Sequence, residues 1–144
     1  MSPEEKVKIL LVDDKPNNLI LLEAILDSPA YQLVKASSGK EALKCLLNED
    51  VALILLDIMM PEMDGFETAK LIKQRKGSKD IPIIFITAID QDADTIVKAY
   101  SAGAVDYIFK PFDPTTLQSK VSIFVDLYKK NRLLYRLMRE RRVG

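Results

Sequence analysis

Five residues far apart in the chain have types that could do chemistry together: Asp13, Asp14, Asp57, Thr87 and Lys110. Three crowded carboxylates repel one another, and a hard divalent cation with oxygen ligands relieves that repulsion. Mg²⁺ suits such a set because it takes few carboxylates and keeps coordination positions for phosphate oxygens. With the metal held by Asp13, Asp14 or both, Asp57 could attack phosphorus and form an aspartyl phosphate. The Lys110 ammonium and the Thr87 hydroxyl would counter charge on the transferred group. Any one of these acids alone reads equally well as a solvated loop residue. The chemistry requires all five to meet.

The elements that would bring them together are legible in the apolar pattern. Ile9–Val12, Ala52–Leu56 and Ile83–Ile86 are short runs of branched residues, as in strands buried on both faces of a parallel sheet. Residues 31–36 and 105–109 interleave polar side chains and suit edge strands. Helix-length segments lie between. Ser38 and Glu41 form a capping box, Asp64, Asp90 and Asp113 are placed as caps, and Pro16 and Pro114 suit first-turn positions. Leu19, Leu22 and Leu26 share a helical face.

The order is then β1 (8–13), α1 (16–27), β2 (31–36), α2 (39–48), β3 (52–57), α3 (65–75), β4 (82–87), α4 (91–101), β5 (105–109) and α5 from 114. Strict alternation predicts an α/β fold with a doubly wound, five-stranded parallel sheet. With β2 and β5 at the edges, the strand order is 2-1-3-4-5, and ligands bind beyond the carboxyl ends near β1 and β3. Those ends carry Asp13-Asp14, Asp57, Thr87 and, after β5, Lys110. All five candidates would face one crater.

Composition narrows the function classes. Apolar residues make up 48% of the chain and charged ones 29%, as in ordinary globular domains. Histidine is absent, which excludes Ser-His-Asp and Cys-His catalysis and a phosphohistidine carried by this chain. Cys45 is the single cysteine, so no internal disulfide forms, a reducing cytoplasmic setting fits, and its apolar flanks suit core filling. No apolar run approaches the roughly 20 residues of a membrane span, and no signal-peptide pattern opens the chain. The net charge of zero is uneven. Residues 129–142 hold seven basic groups against Glu140 alone, leaving a +6 tail and a −6 remainder.

The motifs Ile9-Leu-Leu-Val-Asp-Asp14, Leu55-Leu-Asp-Ile-Met-Met-Pro-Glu-Met-Asp-Gly65, Ile86-Thr-Ala88 and Asp106-Tyr-Ile-Phe-Lys-Pro111 resemble the receiver domain of two-component response regulators. The resemblance covers about residues 7 to 125. It implies a phosphorelay switch in which a partner histidine kinase or phosphotransfer protein supplies the phosphoryl group to Asp57. It further implies Asp13 and Asp14 as the acidic metal pair, with Asp57 and the Met59 backbone carbonyl completing the Mg²⁺ site. Thr87 and Lys110 would contact the phosphoryl group, and the Lys110–Pro111 bond is typically cis. Tyr107 corresponds to an aromatic that turns inward as Thr87 is drawn to the phosphoryl oxygens, changing the α4-β5-α5 face. A half-buried edge-strand tyrosine is the plainer reading.

Met59 and Ile89, each two residues past a key position, cannot hydrogen-bond an attacking water, so slow loss of phosphate is expected. Gly65 and Gly103 are read as turn residues, and Met59 to Met63 as shaping the loop over the crater. Beyond residue 125 the 3-4-3-4 spacing of Phe124, Leu127, Asn131, Leu134 and Met138 is a short heptad seam, with Asn131 of the kind that sets register. The chain is therefore divided into a receiver (1–125) and an extended C-terminal helix (126–144), serving as a linker to an output domain or as a dimerisation helix. A solvated basic helix is the competing reading.

Three other functions are weighed. A Mg²⁺-dependent phosphatase with an aspartyl nucleophile usually has a second acid two residues on, where Met59 stands. A flavodoxin-like cofactor binder needs a Ser-, Thr- or Gly-rich loop after β1, but Asp13-Asp14-Lys15-Pro16 would repel phosphate. A phosphate-independent scaffold would not need all five site residues. No helix-turn-helix follows α5, so direct nucleic-acid binding is not expected.

Overall fold

The computed structural model describes residues 6–88 and 93–143. The elements are β1 Val7–Val12, α1 Pro16–Ile25, β2 Tyr31–Ala36, α2 Gly39–Asn48, β3 Leu53–Asp57, α3 Gly65–Gln74, β4 Ile83–Thr87, α4 Ala93–Ser101, β5 Asp106–Phe109 and α5 Pro114–Val143. All strand pairs are parallel and the order is β2-β1-β3-β4-β5, as the alternation predicts. Strand boundaries differ from the sequence reading by at most one residue, and Asp57 and Thr87 are the last ladder residues of β3 and β4. Asp90 and Ile89 lie outside the described residues.

Alternation along the central strands builds two cores. Leu10, Val12, Ile54, Leu56, Ile83 and Phe85 face one side, where Ala42 and Leu43 of α2, Ala69 and Ile72 of α3, and Ala99 of α4 cover them. Ile9, Leu11, Leu53, Leu55, Ile84 and Ile86 face the other, under Leu19 and Leu22 of α1 and Leu117, Val121 and Val125 of α5. Period-2 side-chain direction separates the sets, and each fully buried aliphatic contributes about 1.5–3 kcal/mol. Cys45 is half-buried against the first core, and burial raises its thiol pKa, as befits a packing residue.

The helix starts follow the sequence signals with one shift. Ser38 Oγ accepts from the Glu41 N–H at 3.0 Å, but the Glu41 carboxylate reaches back to the Ser37 N–H and hydroxyl. The box therefore closes one residue upstream. Asp64 accepts from the Glu67 N–H at 2.9 Å and Asp113 from the Thr116 N–H at 3.2 Å. Gly103 takes φ +97° at the turn after α4, a region glycine enters without strain. Gly65, read both as a turn residue and as the start of α3, is the first residue of that helix. A Cβ there would lie 2.4 Å from the Asp57 carbonyl oxygen, so its absence lets α3 start against the end of β3.

Candidate metal and phosphoryl site

Two neighbouring strands carry the acidic candidates to the same end of the sheet, β1 bringing Asp13 and Asp14 and β3 bringing Asp57. β1 stops at Val12 and β3 at Asp57, and these neighbours run in register from Ile9 opposite Leu53 to Val12 opposite Leu56. Asp13 and Asp57 are buried, at 1% and 2% exposure, while Asp14 is half-buried. One carboxylate oxygen from each of Asp13, Asp14 and Asp57 lies within 4.8 Å of the others. The three acids meet as the sequence predicts.

Lys110 reaches this cluster from 97 residues beyond Asp13. Its Nζ donates to Asp13 Oδ2 at 3.2 Å and lies 3.6 Å from Asp57 Oδ1. The Lys110 N–H donates to the Thr87 carbonyl at 2.8 Å, and the Lys110–Pro111 peptide is cis. Asp13 Oδ1 accepts the Lys15 N–H at 2.9 Å, which ties the metal-side acid to the start of α1. Asp57 Oδ1 accepts the Met59 N–H at 3.4 Å, and the Met59 side chain projects outward at 61% exposure.

Three acids facing one lysine leave excess negative charge. The Asp57 pKa is pushed up to about 6, first by burial and then by Asp13, with Asp14 adding to the rise. Lys110 and the Met59 N–H pull it down, but do not offset the rise. Asp14 Oδ1 is buried with no hydrogen-bond partner, a costly arrangement for a carboxylate oxygen. A divalent cation among these oxygens would satisfy Asp14 and relieve the repulsion, so the donor set fits Mg²⁺.

Thr87 and Tyr107 occupy the other face. Thr87 is buried at the end of β4, opposite Phe109, and shares strand parity with Phe85. Phe85 lies opposite Tyr107 on β5. Tyr107 is half-buried, its ring centroid 5.1 Å from Phe109 and 5.7 Å from Tyr100, both edge-to-face. Tyr100 is a participant the sequence reading missed. Its place on the last turn of α4 was the available signal, but pairing with β5 requires the helix crossing.

The sequence profile of the response regulator receiver domain matches residues 9–122. The response regulator SaeR of Staphylococcus aureus (strain USA300) is 38% identical over 122 residues, covering 85% of this chain and 52% of the relative. The chain thus spans about half the length of the curated relatives it matches. The receiver domain of the sensor histidine kinase PA1611 of Pseudomonas aeruginosa, solved with magnesium in its active-site cleft, superposes with a TM-score of 0.77. It is 30% identical, over 85% of this chain and 99% of that one. The chemotaxis protein CheY4 of Vibrio cholerae gives 0.78 at 28% identity, over 83% and 99%. Family profile, sequence relatives and fold agree with one another, and the chain belongs to the response regulator receiver family.

Proposed function

We propose that this chain is a phosphorylation switch in which Asp57 accepts a phosphoryl group from the phosphohistidine of a partner histidine kinase or phosphotransfer protein. The observation carrying this reading is the crater itself: buried Asp57 within reach of a single lysine, beside an acidic pair with an unsatisfied oxygen. Asp13, Asp14, Asp57 and the Met59 backbone carbonyl would hold Mg²⁺, which when bound neutralises the acids and the phosphoryl oxygens. An Asp57 carboxylate oxygen attacks phosphorus as the donor's P–N bond breaks, and the imidazole keeps the bonding electron pair. Lys110 then faces the new phosphoryl oxygens, losing its hold on the Asp57 carboxylate and keeping Asp13.

The switch we infer runs through Thr87. Its hydroxyl turns towards the phosphoryl group, and space next to Phe85 and Phe109 admits the Tyr107 ring, which releases Tyr100 and alters the α4-β5-α5 face. Persistence of the edge-to-face Tyr100–Tyr107 contact in the phosphorylated form, read by aromatic NMR shifts, would sink this step. Slow loss of phosphate is proposed because Met59 offers no group to orient water; Ile89, the other residue invoked, lies outside the described residues. A Met59→Asn variant should lose phosphate several-fold faster.

The chain acts as a signalling module in the cytoplasm rather than an enzyme. Residues 1–125 form the receiver, and 126–144 the helix leading to an output domain or to a second copy. Leu134 and Met138 are exposed, as a seam awaiting a partner requires, whereas Phe124 packs on the receiver core. No described helix is long and apolar enough to cross a membrane. Intact mass after incubation with acetyl phosphate and Mg²⁺ tests the central claim. One added phosphoryl group, absent after chelation, is expected; no adduct on folded, metal-bound protein would leave the chain a scaffold.

A further inference from the structure

At the opposite end of the sheet from Asp57, α5 runs past the body and leaves a groove of about 810 Å³ between itself and the loops that open β3, β4 and β5. Asp50, Val51 and Ala52 before β3, Ile81 and Pro82 before β4, and Val105 before β5 supply one wall. Phe124, Leu127, Asn131 and Tyr135 of α5 supply the other. The wall position is held by a clasp: Arg132 Nη1 donates to Asp50 Oδ2 at 2.9 Å and to the Tyr128 hydroxyl at 3.1 Å.

The charge lining this groove is mostly positive. Lys73, Lys76, Arg132, Arg136 and Arg139 line it, against the carboxylates of Asp50 and Asp80. Arg132 is engaged with Asp50, and Lys73 Nζ donates to the Lys79 and Ile81 carbonyls. Among the lining residues basic groups outnumber acidic ones by five to two. Between the charges the surface is apolar, with Val105 and Leu127 each about half exposed, at 42% and 49%. A cationic rim around an apolar floor is complementary to a helix with one apolar and one acidic face.

We propose that the groove docks an acidic amphipathic helix of a partner polypeptide. Its apolar side chains would cover Val105, Leu127 and Tyr135, and its carboxylates would meet Lys76 and Arg139. A nucleic-acid strand fits less well. Its bases need open aromatic faces, yet Arg132 covers the Tyr128 ring at 5.5 Å and Arg139 the Tyr135 ring at 6.0 Å. The groove lies at the start of β5 and along α5, so an occupant would touch two of the three elements assigned to the switch face.

The test uses the full chain and a fluorescein-labelled 20-residue peptide with leucines on one helical face and glutamates on the other. Its controls are a twin with lysine for glutamate and a labelled 20-nucleotide oligo-dT. Fluorescence anisotropy should show the acidic peptide binding at least tenfold more tightly than either control. Lys76→Glu/Arg139→Glu should weaken it at least tenfold, Lys76→Gln/Arg139→Gln less, and Val105→Asp should weaken it without touching the cations. Phosphoryl uptake at Asp57 verifies that each variant is folded. Equal binding of the two peptides, tighter binding of the oligonucleotide, or indifference to both the charge and the Val105 substitutions overturns the proposal.

Discussion

The carboxyl and amino ends of the same five strands have been built for different kinds of encounter. At the carboxyl end, buried acids are crowded onto one lysine, and one buried oxygen has no partner. At the amino end, cations are spread over an open groove, and the Asp50–Arg132 pair that shapes it is solvent-exposed on both sides. Charge in the first place is desolvated and therefore strong. In the second it is screened, and acts through number rather than through any one contact. The first end suits local chemistry, and the second suits the recognition of an extended surface that we propose for it.

The largest expected effect separates the two ends outright. Asp57→Asn should lower phosphoryl uptake from acetyl phosphate at least a hundredfold by intact mass, with peptide binding in the groove of the unphosphorylated protein unchanged. Loss of both together would mean that the ends are not distinct. Gly65→Ala comes next. The new methyl group meets the Asp57 carbonyl and Ile58 Cα, backbone atoms that cannot swing away. Destabilisation of about 2–3 kcal/mol is expected by urea denaturation, with slower phosphoryl uptake because β3 must shift.

The third prediction concerns pH without metal. Asp57 titrates near 6 when folded and near 3.8 in the unfolded chain, so the native state holds the proton over that window while the unfolded chain has lost it. Stability should therefore fall as pH rises from about 4 to about 6, by about 1 kcal/mol once screening by water and Lys110 is allowed for. Asp57→Asn should flatten that slope, and Mg²⁺ should raise the melting temperature at pH 7. A stability curve unchanged by the substitution would show that the crowding of the acids is relieved in another way. The smallest effect belongs to the clasp. Arg132→Ala should cost about 0.5 kcal/mol or less in stability and leave phosphoryl uptake intact, while loosening the α5 wall of the groove. A loss above about 2 kcal/mol would place the clasp with the desolvated charges and break the contrast.

Much of this molecule is determined by local sequence. The branched runs around Leu10, Leu55 and Ile84 specify buried strands because no other element hides both alternating faces. Ser38, Asp64 and Asp113 start helices through hydrogen bonds to residues three positions on, an interaction that needs no distant partner. Even the crater was legible, since strand order and the polar residue at each strand end suffice to bring Asp13, Asp14, Asp57 and Lys110 together. What the tertiary structure alone decided depends on distances between elements. The sequence reading starts α3 at Gly65, but only the packing shows why glycine is needed there, since a Cβ would lie 2.4 Å from the Asp57 carbonyl oxygen. Tyr100 has no role until α4 crosses β5, and the basic tail is only a charge run until Asp50 pins Arg132 and a groove opens beside it. Periodicity reports which face of an element is buried; it carries no information on which residue of another element stands opposite, because that is set by packing over the whole core.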